Sequence, residues 1–190
     1  MKKNIELFIK ESIAAKEDLL RSQVGNIESA VNIIIDSLKG DKKLLVFGNG
    51  GSASDSQHIA AELVGRFKME RKALPAIALT TNTSILTAIA NDYGYDVVFS
   101  RQIEALGVQG DVALGISTSG NSKNVIEAFK KARSIGMKTI ALSGGDGGKM
   151  KKEADISIVV GTKDTPRVQE SHILIAHIIC ALVEERMFKK

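Results

Sequence analysis

The residues of this sequence that could do chemistry lie in two hydroxyl- and glycine-rich segments and two separated pairs. In SDSQHIAAELVGRF, His58 and Glu62 stand four apart. On a helix that spacing places them on one face, about 5 to 6 Å apart at Cβ, so an imidazole and a carboxylate can reach one metal ion. The same spacing lets Glu62 pair instead with Arg66. Both pairings remain open from spacing alone. The second pair, Gln169 and His177, lies in VQESHILIAHIIC, where His177 interrupts an apolar run. A single histidine on an apolar helix is ordinarily a hydrogen-bonded core residue. His172 sits about 140° around the same helix from His177 and receives no role.

In VALGISTSGNSKN an apolar run empties into Ser117, Thr118, Ser119, Gly120, Asn121 and Ser122, after which helical periodicity begins. Neutral hydroxyl donors, free backbone N–H groups and a helix N-terminus suit a phosphate dianion. An N-cap by Ser119 or Asn121 would explain one of these residues, not the whole cluster. Earlier, VFGNGGSASDSQH contains a G-x-G-x-x-A pattern at Gly48, Gly50 and Ala53. A dinucleotide site of that type also wants an acidic residue at the end of the next strand. Here that stretch reads AIALTTNTS. The glycine loop, with Ser52 and Ser54 at a helix start, therefore fits a phosphate or sugar hydroxyls better than a nicotinamide cofactor, with a plain glycine turn as the bland alternative.

These loops need a scaffold. Five short apolar runs, KLLVFG, AIALT, VALGIST, TIALSG and ISIVVG, alternate with helix-like segments at 53–66, 83–106, 121–135 and 147–153, and a long helix over 166–188 opens at Pro166. Runs apolar on both faces belong to a parallel sheet covered by helices. The pattern predicts an α/β fold, a three-layer αβα sandwich with about five parallel strands. Residues 1–40 predict two helices broken near Gly25 and stopped at Gly40, packing on the sandwich or on another subunit. With 190 residues, one domain over 1–190 is expected, its core spanning 41–190.

Composition narrows the function further. A net charge of +4 is spread over 26 basic and 22 acidic residues, and aromatics make up 4% with no Trp. That balance argues against nucleic acid, which would require a basic face and stacking platforms. No apolar run approaches a membrane span, and Glu6, Lys10 and Glu11 interrupt any signal-peptide core. The single cysteine, Cys180, lies in an apolar run and suits a reducing compartment. A cytoplasmic protein is expected.

Taken together, GNGGSASDSQH, LTAIANDYGYD, GISTSGNSKN and DTPRVQESHILIAHIIC resemble the motifs of the phosphoheptose isomerases, a family built on the sugar-isomerase (SIS, flavodoxin/Rossmann-like) domain. The resemblance covers nearly the whole chain. It implies an enzyme that interconverts sedoheptulose 7-phosphate and D-glycero-D-manno-heptose 7-phosphate, the first step of ADP-heptose synthesis. It implies sugar contacts from Asn49, Gly50, Gly51, Asn91, Asp92 and Gln169, with Ser52 beside them. Ser117, Thr118, Ser119 and Ser122 would hold the phosphate. The family's Zn²⁺ ligands fall on His58, Glu62, Gln169 and His177, and the resemblance also implies a homotetramer with the leading helices in its interfaces. For an enediol mechanism Glu62 is the candidate base and His177 the proton donor.

A geometric difficulty accompanies that ligand set. Eight helical residues separate Gln169 from His177, about 12 Å of rise and about 80° of rotation. The expectation is therefore a site shared between subunits, with ligands from different chains, or a Gln169 that precedes the regular helix. A rival reading is a non-catalytic SIS regulator of the kind that associates with the replication initiator DnaA, which lacks counterparts of Glu62 and the final histidine. An amino-sugar enzyme or sensor on the same fold would keep the phosphate loop without the metal set.

Overall fold

The computed structural model describes residues 1–189, and Lys190 lies outside the described residues. The chain runs α1 (Lys2–Ser22), α2 (Val24–Lys39), β1 (Leu44–Gly48), α3 (Gly51–Val64), β2 (Ala76–Ala78), α4 (Thr83–Tyr93), a 3₁₀ turn at Tyr95–Val97, α5 (Val98–Leu106), β3 (Val112–Ser117), α6 (Lys123–Ser134), β4 (Lys138–Gly144), a second 3₁₀ turn at Lys149–Lys152, β5 (Ile156–Val160) and α7 (Thr165–Phe188). The five strands are all parallel, in the order β2-β1-β3-β4-β5. This is the expected three-layer sandwich.

Alternation along the strands divides the core. Leu44, Val46, Leu114 and Leu142 face α2, α3 and α7, while Leu45, Phe47, Ala113 and Ala141 face α5 and α6. Successive strand residues point to opposite faces, and both faces here are covered, which is why each central strand reads as a continuous apolar run. On the second face Phe47 lies 5.4 Å from Phe99 and 5.8 Å from Phe129 between ring centroids. Gly115 makes room for this cluster: a Cβ there would meet Phe129 Cζ at 2.7 Å. The outer strands differ from expectation in burial. β2 is only three residues long with Ile77 exposed, and β5 is partly covered, because an edge strand has a neighbour on one side only.

The break between the leading helices falls at Gln23, with φ −120° and ψ −2°, rather than at Gly25, which sits inside the first turn of α2. Gln23 has a structural task at that corner, since its Oε1 accepts the Val159 N–H at 3.2 Å. Gly40 ends α2 as expected. α7 carries proline in its first turn, where the missing N–H would have no helical partner.

Candidate active site

The sheet order reverses at β1, whose neighbours are β2 on one side and β3 on the other. After β1 the chain passes into α3 on one face, and after β3 into α6 on the other. The two following loops therefore diverge and leave a crevice at the strand C-termini, the usual ligand position in open α/β sheets. Gly48 pairs with Ile116 across it. A Cβ at Gly48 would come 2.8 Å from Ile116 O and 2.8 Å from Ser52 Cβ, so glycine is required for the loops to approach this closely. Gly50, with φ +57°, makes the turn into α3.

In the hydroxyl loop, Ser117 Oγ lies 2.8 Å from Ser122 Oγ and 3.5 Å from Ser119 Oγ, and Ser119 Oγ accepts the Asn121 N–H at 3.2 Å. Ser122 is the residue preceding α6, yet its hydroxyl makes no cap hydrogen bond. The cluster is thus not consumed by helix capping, and Thr118 and Ser119 line a polar cleft of about 360 Å³ together with Gly144, Gly145 and Lys163. Where α6 follows the hydroxyl loop, Asn49 and Asn124 exchange amide hydrogen bonds at 3.0 and 2.9 Å, and Tyr95 Oη donates to Asn49 Oδ1 at 3.2 Å. With Oδ1 accepting two bonds, Asn49 has one amide N–H left for a ligand. Asn124 and Tyr95 are functional candidates that the sequence does not single out, because their partner lies 75 and 46 residues away in the chain.

Helices α3 and α7 pack side by side in the same direction, Gly51 against Gln169 at the crevice end and His58 against His177 further along. On a helix each side chain leans toward the preceding turn, which brings Glu62 back onto His58. His58 Nε2 lies 3.0 Å from Glu62 Oε1 and 3.5 Å from His177 Nε2, and the His58 and His177 rings meet edge to face at 5.0 Å. Glu62 thus pairs with His58, while Arg66 goes to Glu70 at 3.7 Å. Ligand atoms of His58, Glu62 and His177 all fall within 4.8 Å of one another, a grouping that could hold a metal ion.

The donor set fits such an ion. Zn–N bonds near 2.0–2.1 Å in a tetrahedron place donor atoms roughly 3.3 Å apart, and the observed 3.0 and 3.5 Å bracket that spacing. Two imidazoles and one carboxylate make the ligand set of a zinc centre with an open position. Without a cation, His58 Nε2 faces both a carboxylate and a second ring nitrogen, and a single N–H satisfies only one of them.

The expected site residues fall as follows. His58, Glu62 and His177 bring their ligand atoms together within one chain, from two packed helices, so these three need not come from different subunits; Gln169, whose distance from His177 raised the difficulty, is not in that group. Gln169 lies inside α7, not before it. Its Nε2 approaches Gly51 so closely that a Cβ there would sit 2.5 Å away, which puts the carboxamide at the start of α3. Asn91 and Asp92, at the exposed end of α4, bond only each other among the described residues, at 2.9 Å. Ser52 is buried in the first turn of α3.

Further polar groups surround these. Asp55, one turn before His58 on the same stripe, has a buried Oδ2 with no partner among the described residues. Burial raises its pKa, opposed by the nearby His58. His172 is fully buried and its Nε2 donates to Ser143 O at 3.2 Å, tying α7 to β4. Burial pushes its pKa down to about 4, against that hydrogen bond. The Cys180 thiol is pushed up to about 12, first by burial and then by the charge of Glu62, so it is an unreactive core group. Buried Asp111, at the other end of the sheet, is engaged by Lys43 Nζ at 2.6 Å and two backbone N–H groups.

Comparison with known proteins completes the assignment. A family profile described as SIS domain matches residues 7–144. The chain is 56% identical to the phosphoheptose isomerase of Clostridium acetobutylicum over 190 residues, 99% of this chain and 97% of that one. With the phosphoheptose isomerase of Helicobacter pylori strain P12 it shares 55% over 97% of this chain and 98% of that one. The solved phosphoheptose isomerase of Neisseria gonorrhoeae superposes with a TM-score of 0.92 at 46% identity, covering 97% of this chain and 98% of the other. With these likenesses running almost end to end, the chain belongs to the phosphoheptose isomerase family of SIS-domain proteins.

Proposed function

We infer that this protein is a sugar-phosphate isomerase that interconverts D-sedoheptulose 7-phosphate and D-glycero-D-manno-heptose 7-phosphate. The observation that carries the reading is the convergence of His58, Glu62 and His177 on two helices beside a hydroxyl-lined crevice, in a chain of this family. Ser117, Thr118, Ser119 and Ser122, with the N-terminus of α6, grip the phosphate through neutral donors. Asn49, Gly50, Gly51, Ser52 and Gln169 meet the sugar at the other lip, joined by Asn91 and Asp92. This remote grip orients the carbons that react.

Glu62 takes the proton from C1 of the ketose while His177 gives a proton to the C2 oxygen, producing the enediol. The return of a proton to C2, with loss of the O1 proton as the C1 carbonyl forms, gives the aldose. His58, Glu62 and His177 would hold Zn²⁺, with Gln169 as the remaining candidate ligand from the crevice end. When bound, such an ion polarises the substrate carbonyl and stabilises developing oxyanion charge. Glu62 stays close enough to His58 for ligation and proton transfer to compete.

The non-catalytic regulator reading is not favoured, since Glu62 and His177 are both present and in one place. We treat 1–190 as a single domain, because Leu19 and Ile27 of the leading helices join the same core as β1 and α7. The exposed apolar face of α1 supports a homo-oligomer, a tetramer in the family reading, with sites at its interfaces. No described helix is long and apolar enough to cross a membrane. The lone buried thiol suits the cytoplasm.

The decisive experiment incubates the protein with sedoheptulose 7-phosphate, with and without a chelator. Aldoheptose phosphate should form, cease on metal removal and return with zinc. Glu62→Gln and His177→Gln should each lower turnover by about 10² to 10⁴ while phosphate affinity survives. Full turnover in either variant would remove that residue from the chemistry.

A further inference from the structure

The segment that leaves α3 folds back over the His58, Glu62 and His177 cluster. The Phe67 ring lies 5.5 Å from the His177 ring, inclined by 35°. Its position is fixed from α7. The backbone N–H of Phe67 donates to Glu184 at 3.0 Å, that of Lys68 to both carboxylate oxygens at 3.1 and 3.2 Å, and Met69 N–H donates to Glu184 Oε1. Glu184 lies about two turns beyond His177 and is 1% exposed.

The buried charge is answered by Arg71, whose side chain is also 1% exposed, with Nε 3.9 Å from Glu184 Oε2. The guanidinium meanwhile donates to the carbonyls of Glu62 at 2.8 Å and Leu63 at 2.7 Å, closing the last turn of α3. Buried ion pairs are weak contributors to stability, and apolar residues of similar volume often serve a core as well. What this pair supplies is geometry. One carboxylate collects three consecutive N–H groups, and one guanidinium holds the turn that carries Glu62.

We propose that Glu184 and Arg71 are positioning residues of the isomerase site, holding Phe67 as a wall on His177 and the last turn of α3 in register with α7. This rests on the isomerase reading. The wall shields one side of the His177 imidazole from water and fixes its plane, so that Nε2 keeps facing His58 and Glu62. Outer partners of this kind tune both ligand orientation and metal affinity.

The test uses the full chain as an Arg71→Met/Glu184→Leu double variant, which keeps the volume and removes both charges, and separately Phe67→Ala, which leaves the ion pair intact. Circular dichroism and thermal unfolding establish that each is folded. The expected result is a kcat lower by about 10- to 100-fold with KM nearly unchanged, and loss of bound zinc at lower chelator concentration than the parent. In the metal-free protein, the ring-nitrogen NMR signals of His177 should move toward those of a freely reorienting imidazole. This last readout depends on neither activity nor zinc, so it judges the positioning role even if the parent protein fails to isomerise a heptose phosphate. A folded double variant and a folded Phe67→Ala that keep parental kcat, zinc retention and His177 signals would overturn the proposal. Should the double variant not fold, Phe67→Ala alone decides through the same three readouts.

Discussion

Gly51 and Gln169 set how closely α3 and α7 approach at the crevice. A side chain at position 51 would strike Gln169 Nε2 at 2.5 Å, but that amide is the end of a flexible chain and can move without disturbing the backbone. Gly51→Ala is therefore expected to hold stability within about 1 kcal/mol, alanine being the better helix former, while displacing the carboxamide. Thermal unfolding should be nearly unchanged and kcat/KM lowered about tenfold; equal kcat/KM would show that Gln169 does not act at this spot. At this scale the sequence was readable where partners are close along the chain. His58 and Glu62 are four apart, and the hydroxyls fill one loop. Asn124, Tyr95 and the Glu184–Arg71 pair were not readable, since an amide, a phenol or an ion pair gains meaning only when folding brings its partner from dozens of residues away.

At the scale of elements, α7 joins everything: Gln169 at the crevice, His177 at the cluster, Glu184 at the wall and His172 in the core. It is tied to β4 by His172, whose burial favours the neutral ring. The folded-state pKa is near 4, against 6.5 for an unperturbed histidine. Between those values the unfolded chain binds the proton and the folded chain does not, so stability is present above about pH 6.5 and drains away as pH falls toward 4, by about 3 kcal/mol in all. Denaturant unfolding between pH 7 and 4.5 should show this slope, and His172→Asn should flatten it; an unaltered slope would assign the acid sensitivity to other groups. The helix itself was legible from Pro166 and the apolar run. The break at Gln23 was not, because glycine signals permission to bend, whereas the bend occurs where a side chain can satisfy the Val159 N–H. The short β2 was likewise read as a full strand, since edge position cannot be inferred from an apolar run alone.

For the whole molecule, Ile5, Phe8, Ile9 and Ile13 on α1 are each more than half exposed, and α4 has no buried residue. Exposed apolar surface of this continuity marks an association face. Phe8→Lys should produce a smaller particle by light scattering and, if neighbouring subunits complete the site near Asn91 and Asp92, a parallel loss of turnover. An unchanged particle mass would show that this face of α1 does not carry association. The parallel sheet was legible from run lengths and glycines, because both-face burial leaves no polar alternation, but its strand order, with β1 at the switch point, was not. Subunit arrangement was not, because one chain's pattern does not say what covers it.

The strand order has a consequence in time. The glycine turn after β1 and the hydroxyl loop after β3 are made before β4, β5 and α7 emerge, whereas Gly144, Gly145, Lys163 and Gln169, which close the cleft and the crevice, come later. His58 and Glu62 must wait for His177. At roughly 5 to 20 residues per second of synthesis, several seconds separate the making of the hydroxyl loop from that of His177. The cleft and the cluster are thus both completed by the last third of the chain to be made.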